Sequence, residues 1–183
     1  MLFSHTHEQV LDGSKVLTTR LVAPGDRYET HPISREIVRV MDAGGRVKYE
    51  VGKSYAAQPG RGKEAVCRIR IKRILKNRLR DMTNEMVEQE GLPLRAWAGV
   101  AGEQEPGTAA FAELWDSMHG KWKADPNTGG KICYPWATET APKPPKNAKL
   151  PYQVVANPTV WRLWFERVQP LDSDEAGDDE DTE

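Results

Sequence analysis

Cysteine is nearly missing from this chain: two in 183 residues, Cys67 and Cys133, with no Cys-x-x-Cys pair. That spacing excludes a disulfide framework and a zinc knuckle, and Cys67, set in an alternating apolar row, reads as a small buried hydrophobe. Histidine is as scarce, with four. His5 and His7 alternate at a strand end and with His31 could be imagined as metal ligands, but packing or surface roles are expected, and neither a metal nor a cofactor is. No apolar run approaches the roughly 20 residues that a membrane span needs. The opening residues also lack the basic and long apolar segments of a secretory leader, which makes the cytoplasm the expected compartment.

Net charge is also small, at -1, but it conceals a division. Residues 171–183 hold eight acids and no Lys or Arg. The other 170 residues therefore carry 26 basic side chains against 27 less 8, or 19, acidic ones, a body of +7. Such a body suits a nucleotide or polyanion partner. The tail has too little apolar surface to offset its ordering entropy, so disorder is expected there. It serves either as a solubilising terminus or as a segment that folds back on the basic body and competes with nucleic acid.

What the chain does contain is a run from Asp12 to Arg20, Asp-Gly-Ser-Lys-Val-Leu-Thr-Thr-Arg, and a second from Val87 to Gly91, Val-Glu-Gln-Glu-Gly. Together they place a lysine, a threonine, an arginine and a glutamate beside element ends, in reach of a nucleotide-sized ligand. A helix from about Thr6 to Leu11 closes at Gly13 as a left-handed cap. The β-branched stretch from Val16 to Val22 predicts a strand with Thr18 and Arg20 on one face; Lys15 joins them only if the turn after Gly13 redirects it.

Elsewhere Leu2-Phe3 reads as a short strand, and the runs from Ile37 to Met41 and from Val47 to Val51 form a hairpin about Ala43-Gly44-Gly45. From Val66 to Leu75, Cys67, Ile69 and Ile71 alternate with Arg68, Arg70 and Lys72, an apolar face backed by a cationic one. The cationic face is either a solvated strand surface or a groove that tracks phosphates. Thr83 caps a helix that runs to Glu90 and stops at Gly91. Thr108 caps another, with Phe111, Leu114, Trp115 and Met118 on its core face and Gly120 at its end. Residues 121–150, with Gly129-Gly130, Pro142 and Pro144-Pro145, predict an irregular surface insertion. A closing strand from Val160 to Val168 alternates Trp161, Leu163 and Phe165 with Arg162, Trp164 and Glu166. Short strands interrupted by two or three helices predict an α+β fold, a small curled sheet plugged by helices.

The stretch from Gly13 to Arg20 resembles the Gly-Arg-Lys-Thr-x-Thr-x-Arg signature of the ASCH domain, in the PUA-like superfamily. Gln58-Pro59-Gly60-Arg61-Gly62, Val87-Glu88-Gln89-Glu90-Gly91, Phe111-x-x-Leu114-Trp115-Asp116 and Asn157-Pro158-x-Val160-Trp161 resemble later blocks of its larger bacterial and phage-type members, in order. The resemblance implies a small mixed PUA-like β-barrel with flanking helices, a single domain over about 1–170 with the insertion at 121–150. It also implies a modified nucleoside or nucleotide, or RNA, as partner. One branch removes the acetyl group from N(4)-acetylcytidine with a Thr, a Lys and a Glu; its pattern falls on Thr18, Lys15 and Glu90. Arg20, Arg61, Arg68, Arg70 and Lys72 are then candidates for substrate or phosphate binding. Ser14, Val16 and Thr19 depart from the family's residues.

Amide hydrolysis needs an attacking oxygen, a place for its proton and a donor to the departing nitrogen. Lys15, desolvated in a cleft, would take the proton of Thr18, and Glu90 would donate to the exocyclic amine or ring nitrogen. Arg20 would hold a phosphate or keep Glu90 ionised. Against this stand a purely structural Lys15–Glu90 ion pair, a noncatalytic module that binds RNA through Lys15, Arg20, Arg68, Arg70 and Lys72, and a ribonuclease, for which no suitable histidine pair stands out.

Overall fold

In a computed structural model the residues described are 1, 3, 6–92, 106–125, 127–146 and 150–168. The acidic tail and residue 2, half of the expected first strand, lie outside them.

The fold is mixed α+β, mostly antiparallel sheet with few helices. Helix α1, His7–Asp12, ends at Gly13, whose φ of 82° is the left-handed conformation that glycine adopts without steric cost. Strand β1, Leu17–Leu21, is followed by β2, Arg27–Thr30, β3, Ile37–Met41, β4, Val47–Glu50, and β5, Ser54–Ala57. The β3–β4 hairpin forms where expected, because Asp42 accepts from the backbone N–H groups of Gly44 and Arg46 and fixes the turn. Strands β2 and β5 were not legible as strands; β2 is exposed at every position and carries no apolar period.

The backbone of the sheet is β6, Cys67–Arg78, which pairs from Arg68 to Arg78 with β10, Thr159–Val168. Cys67, Ile69 and Ile71 are buried, as their alternation predicts, but the next buried residue is Ile74. The register explains the slip. Trp164 faces Arg73 while Phe165 faces Ile71, so Lys72 is an extra residue in a bulge. Before the bulge the other side of β6 pairs with β5; beyond it β6 meets β3 at Ile37–Ile74, and the sheet splits. The strand order β1-β10-β6-β3-β2 leaves β1 and β2 as ends, and no closed barrel forms among the described residues.

Directly opposed residues share a face, so Leu17, Thr19 and Leu21 of β1 lie with Trp164, Arg162 and Val160, whereas Thr18 and Arg20 lie with Leu163 and Trp161. The first face is covered by α2, Asn84–Gln89, and α3, Pro106–His119, through Val87, Phe111 and Trp115. The second packs Phe3 and Val10 against Ile69 and Phe165, and Val40 against Ile71 and Leu163. Thr83 caps α2 as expected, its Oγ1 accepting from the Met86 N–H. Thr108 is not the cap of α3: the helix already starts at Pro106, a residue whose missing N–H costs nothing in a first turn.

The stretch 121–150 is not irregular throughout. Strands β7, Lys123–Ala124, and β8, Lys131–Cys133, pair antiparallel, and β9, Tyr152–Val154, adds in parallel to make a second sheet. It is pinned to α3: the Trp115 indole donates to the Tyr134 carbonyl at 2.8 Å, and Asp116 accepts from the Trp136 N–H at 2.6 Å. No helix among the described residues is long and apolar enough to cross a membrane.

Candidate functional site

A cavity of about 270 Å³ opens beside β1, the end strand of the sheet among the described residues. Thr18, Thr19 and Arg20 all line it. Consecutive strand residues point to opposite faces, so three in a row reach one cavity where that cavity wraps the edge of an end strand. Phe3 and the α3 side chains Phe111, Leu114 and Trp115 supply apolar walls, and Lys15 and Glu90 supply charge. The size sits just below the roughly 300–1,000 Å³ common for small-molecule sites.

Lys15 reaches the cavity because the chain turns sharply after Gly13. Its N–H donates to the Gln9 carbonyl at 2.9 Å, and the Val16 N–H donates to Gln89 at 2.8 Å, which ties the start of β1 to both helices. Gly91, at φ 79°, makes the approach possible: a Cβ there would lie 2.8 Å from Gln9 Cβ and 3.1 Å from Lys15 Cβ. Glu90 is fixed from the other side, through the Trp164 indole, which donates to Gln89 at 3.0 Å.

The lysine and the glutamate meet. Lys15 Nζ donates to Glu90 Oε2 in a very short contact and to the Glu90 carbonyl at 2.5 Å, with both residues buried. Desolvation holds the Lys15 ammonium below the usual lysine range, and the nearby Arg20 adds to that, while Glu90 opposes it. The second carboxylate oxygen, Glu90 Oε1, is buried without a hydrogen-bond partner among the described residues, as is Thr19 Oγ1. A buried unpaired acceptor costs roughly 1–3 kcal/mol, so both atoms are poised for a ligand that brings hydrogen-bonding groups. Thr18 is 4 % exposed and lines the same space.

Two residues that the sequence did not single out belong to this region. His119, the last residue of α3, lines the cavity with its ring 4.2 Å from that of Trp115. Burial, then Lys123 and Arg20, push it down to about 4, so the ring is neutral near pH 7. Arg162 is 1 % exposed and donates to the carbonyls of Asp81, Arg78 and Leu79, which holds the turn leading into α2. Burial lowers its pKa, against which Asp81 and Glu90 act. His119 sits at a helix end within an ordinary amphipathic pattern and Arg162 within a strand alternation; neither carried a local signal.

Of the sequence-predicted residues, Lys15, Thr18, Arg20 and Glu90 converge. Arg20 also stacks its guanidinium 5.6 Å from the Phe3 ring, which Lys15 approaches at 5.9 Å. The other cations do not line the cavity. Arg61 is exposed on the turn after β5, and Arg68, Arg70 and Lys72 are exposed along β6, where Glu166 pairs with Arg70 at 3.4 Å and Lys72 at 3.3 Å. A second hollow, of about 360 Å³, lies between β1 and the small sheet. Its carboxylate, Asp125, is already satisfied by the Asn127 N–H and the Thr128 hydroxyl. No group of three or more potential metal ligands occurs among the described residues. Compared with models of protein families, with curated proteins and with solved structures, the chain matches none.

Proposed function

We propose that this protein is an amidohydrolase that removes an acyl group from the exocyclic amine of a modified cytidine, as nucleoside or nucleotide, with Thr18, Lys15 and Glu90 as its machinery. The observation that carries the reading is the meeting of Lys15 and Glu90, from segments 75 residues apart, in a cavity that Thr18 also lines. The ASCH-like motifs fall on these same residues, and kinship with the PUA-like barrels is part of the proposal.

The buried pair has two proton arrangements, ammonium with carboxylate or amine with carboxylic acid. The second is taken as the reactive one; burial disfavours the Lys15 ammonium. In that form the Lys15 amine takes the proton of Thr18 Oγ1 as the oxygen bonds to the acyl carbon. The Glu90 acid protonates the departing N(4), and the C–N bond breaks to leave an acyl ester on Thr18 and the ion pair. Water then attacks the ester; Glu90 accepts its proton, Lys15 returns one to Thr18 Oγ1, and the acid leaves. Atoms and charge balance over the two steps.

The test is an assay of N(4)-acylated cytidines, free and within RNA. Thr18→Ala removes only the nucleophile and should lower kcat by about a thousandfold or more, with the fold intact. Lys15→Ala and Glu90→Ala should lower kcat as far in the protein that remains folded, although each also strands a buried charge. Release of acyl groups by Thr18→Ala at the wild-type rate excludes the mechanism.

A second reading, a noncatalytic RNA-binding module, draws on β6. Seven cations, Arg68, Arg70, Lys72, Arg73, Lys76, Arg78 and Arg80, fall between residues 67 and 80 with no acid among them. RNA binding with a steep salt slope and no acyl release would favour that reading.

A further inference from the structure

Thr19 and Glu90 each carry a buried polar atom with no hydrogen-bond partner among the described residues, and both residues line the same cavity. The register of β1 shows why they belong together. Thr19 is opposed to Arg162 on the face of the sheet that α2 covers, and Glu90 is the residue that ends α2, so the hydroxyl and the carboxylate enter the cavity from one side. Thr18, one position earlier, points to the other face. Lys15 occupies Glu90 Oε2 and leaves Oε1, and neither Oε1 nor Thr19 Oγ1 satisfies the other. Their capacities differ. An ionised carboxylate oxygen only accepts, whereas a hydroxyl both donates and accepts. Burying such atoms unpaired is costly, so a ligand that pairs both at once gains at each. Thr19 is also a position at which the chain departs from the ASCH-like signature, so the resemblance assigns it no role.

We infer that Thr19 is a specificity-determining residue of the cavity, which together with Glu90 Oε1 reads the amine edge of a cytosine. In the ion-pair arrangement the exocyclic N(4)–H donates to Glu90 Oε1, and the Thr19 hydroxyl donates to ring N3. Cytosine fits because it presents that donor and that acceptor on neighbouring atoms. Uracil inverts the order, with an acceptor at O4 and a donor at N3. The Thr19 hydroxyl can turn and accept from that N3–H, but Glu90 Oε1 then meets O4, acceptor against acceptor, and no rotation relieves it. The carboxylate thus rejects uracil while the hydroxyl holds the ring. An acylated N(4) keeps one N–H, so a substrate is read as its product is. The apolar walls, Phe3, Phe111 and Trp115, suit the planar base. The inference rests on the reading of the cavity as a cytidine site, and it concerns binding, so it survives or fails separately from hydrolysis.

Calorimetric titration of the full chain with cytidine, uridine and 3-deazacytidine tests it, the last keeping the amine but carrying C–H in place of N3. Cytidine should bind at least about tenfold more tightly than either. Thr19→Val, which exchanges the hydroxyl for a methyl of similar shape, should lower cytidine affinity to that of 3-deazacytidine and leave 3-deazacytidine unchanged, while Thr19→Ser retains cytidine binding. The wild-type comparison needs no variant, so it decides even where Thr19→Val fails to fold. Equal wild-type affinities for cytidine and 3-deazacytidine overturn the assignment of Thr19, as does a cytidine preference over 3-deazacytidine that persists in Thr19→Val. Uridine that binds as tightly as cytidine overturns the reading by Glu90 Oε1. Failure of all three nucleosides and of N(4)-acetylcytidine to bind overturns the cytidine reading with it. Acyl release with the same kcat/KM in Thr19→Val as in wild type keeps the hydrolase and removes only the role of Thr19.

Discussion

Lys15 Nζ bonds both the side chain and the main-chain carbonyl of Glu90, so a single ammonium fixes the end of α2 and occupies the floor of the cavity. Stability and proposed chemistry are therefore linked at one pair.

Breaking that pair from one side leaves a buried charge. Lys15→Met is expected to cost about 3–5 kcal/mol in urea unfolding, and the double variant Lys15→Met/Glu90→Gln should recover most of it. Equal losses in the single and double variants would show that the carboxylate is not stranded when the lysine goes.

Gly91 and Gly13 share a positive φ but not a surrounding. At Gly13 a Cβ meets nothing within 4 Å, so Gly13→Ala should cost only the left-handed conformation, about 1 kcal/mol. At Gly91 the same substitution also strikes Gln9 and Lys15, so about 2–3 kcal/mol is expected, with a loss of activity that Gly13→Ala lacks. Thermal unfolding and kcat of the two variants make the comparison.

Arg162 serves three carbonyls with one planar group. Arg162→Met strips donors from Asp81, Arg78 and Leu79 and should lower stability by about 2–4 kcal/mol. Arg162→Lys should recover little, because an ammonium on a flexible stem does not reproduce the fork. Amide exchange at Leu79–Asp81 should rise in both variants.

The pH dependence of folding carries the mark of His119. Its folded value, about 4, lies below the ordinary 6.5, so the unfolded chain binds the proton that the native ring refuses. Stability is complete above about pH 6.5, falls by at most about 3 kcal/mol as pH drops to 4, and levels off below. His119→Phe should flatten the curve between pH 4 and 6.5. The carboxylates Asp12 and Asp42, held low by hydrogen bonds to Ser14 and Arg46, act in a separate window below the ordinary carboxylate range.

Much of the site was legible locally. Gly13 after an amphipathic turn, Thr18 and Arg20 at strand spacing, and Thr83 with Gly91 around Glu90 each announce themselves through backbone preferences that act over a few residues. The α+β class and the alternation of Cys67, Ile69 and Ile71 followed for the same reason. The small sheet of β7, β8 and β9 escaped notice because its strands are two or three residues long and one pairing is parallel, across a gap that local periodicity does not cross.

The amino-acid order by itself settled the longer and strongly periodic segments, such as α1, β1, β6 and β10, and which chemical groups they bear, since propensity and period are properties of short stretches. Whether Lys15 touches Glu90, whether Arg162 is buried under α2 or exposed, and whether His119 joins the cavity depend on how β1, β10 and β6 pair and where the bulge at Lys72 turns the sheet. Those contacts join residues as far apart as Leu17 and Trp164, and only the packed chain fixes them, because long-range pairing is selected by the total burial it permits and not by any one segment.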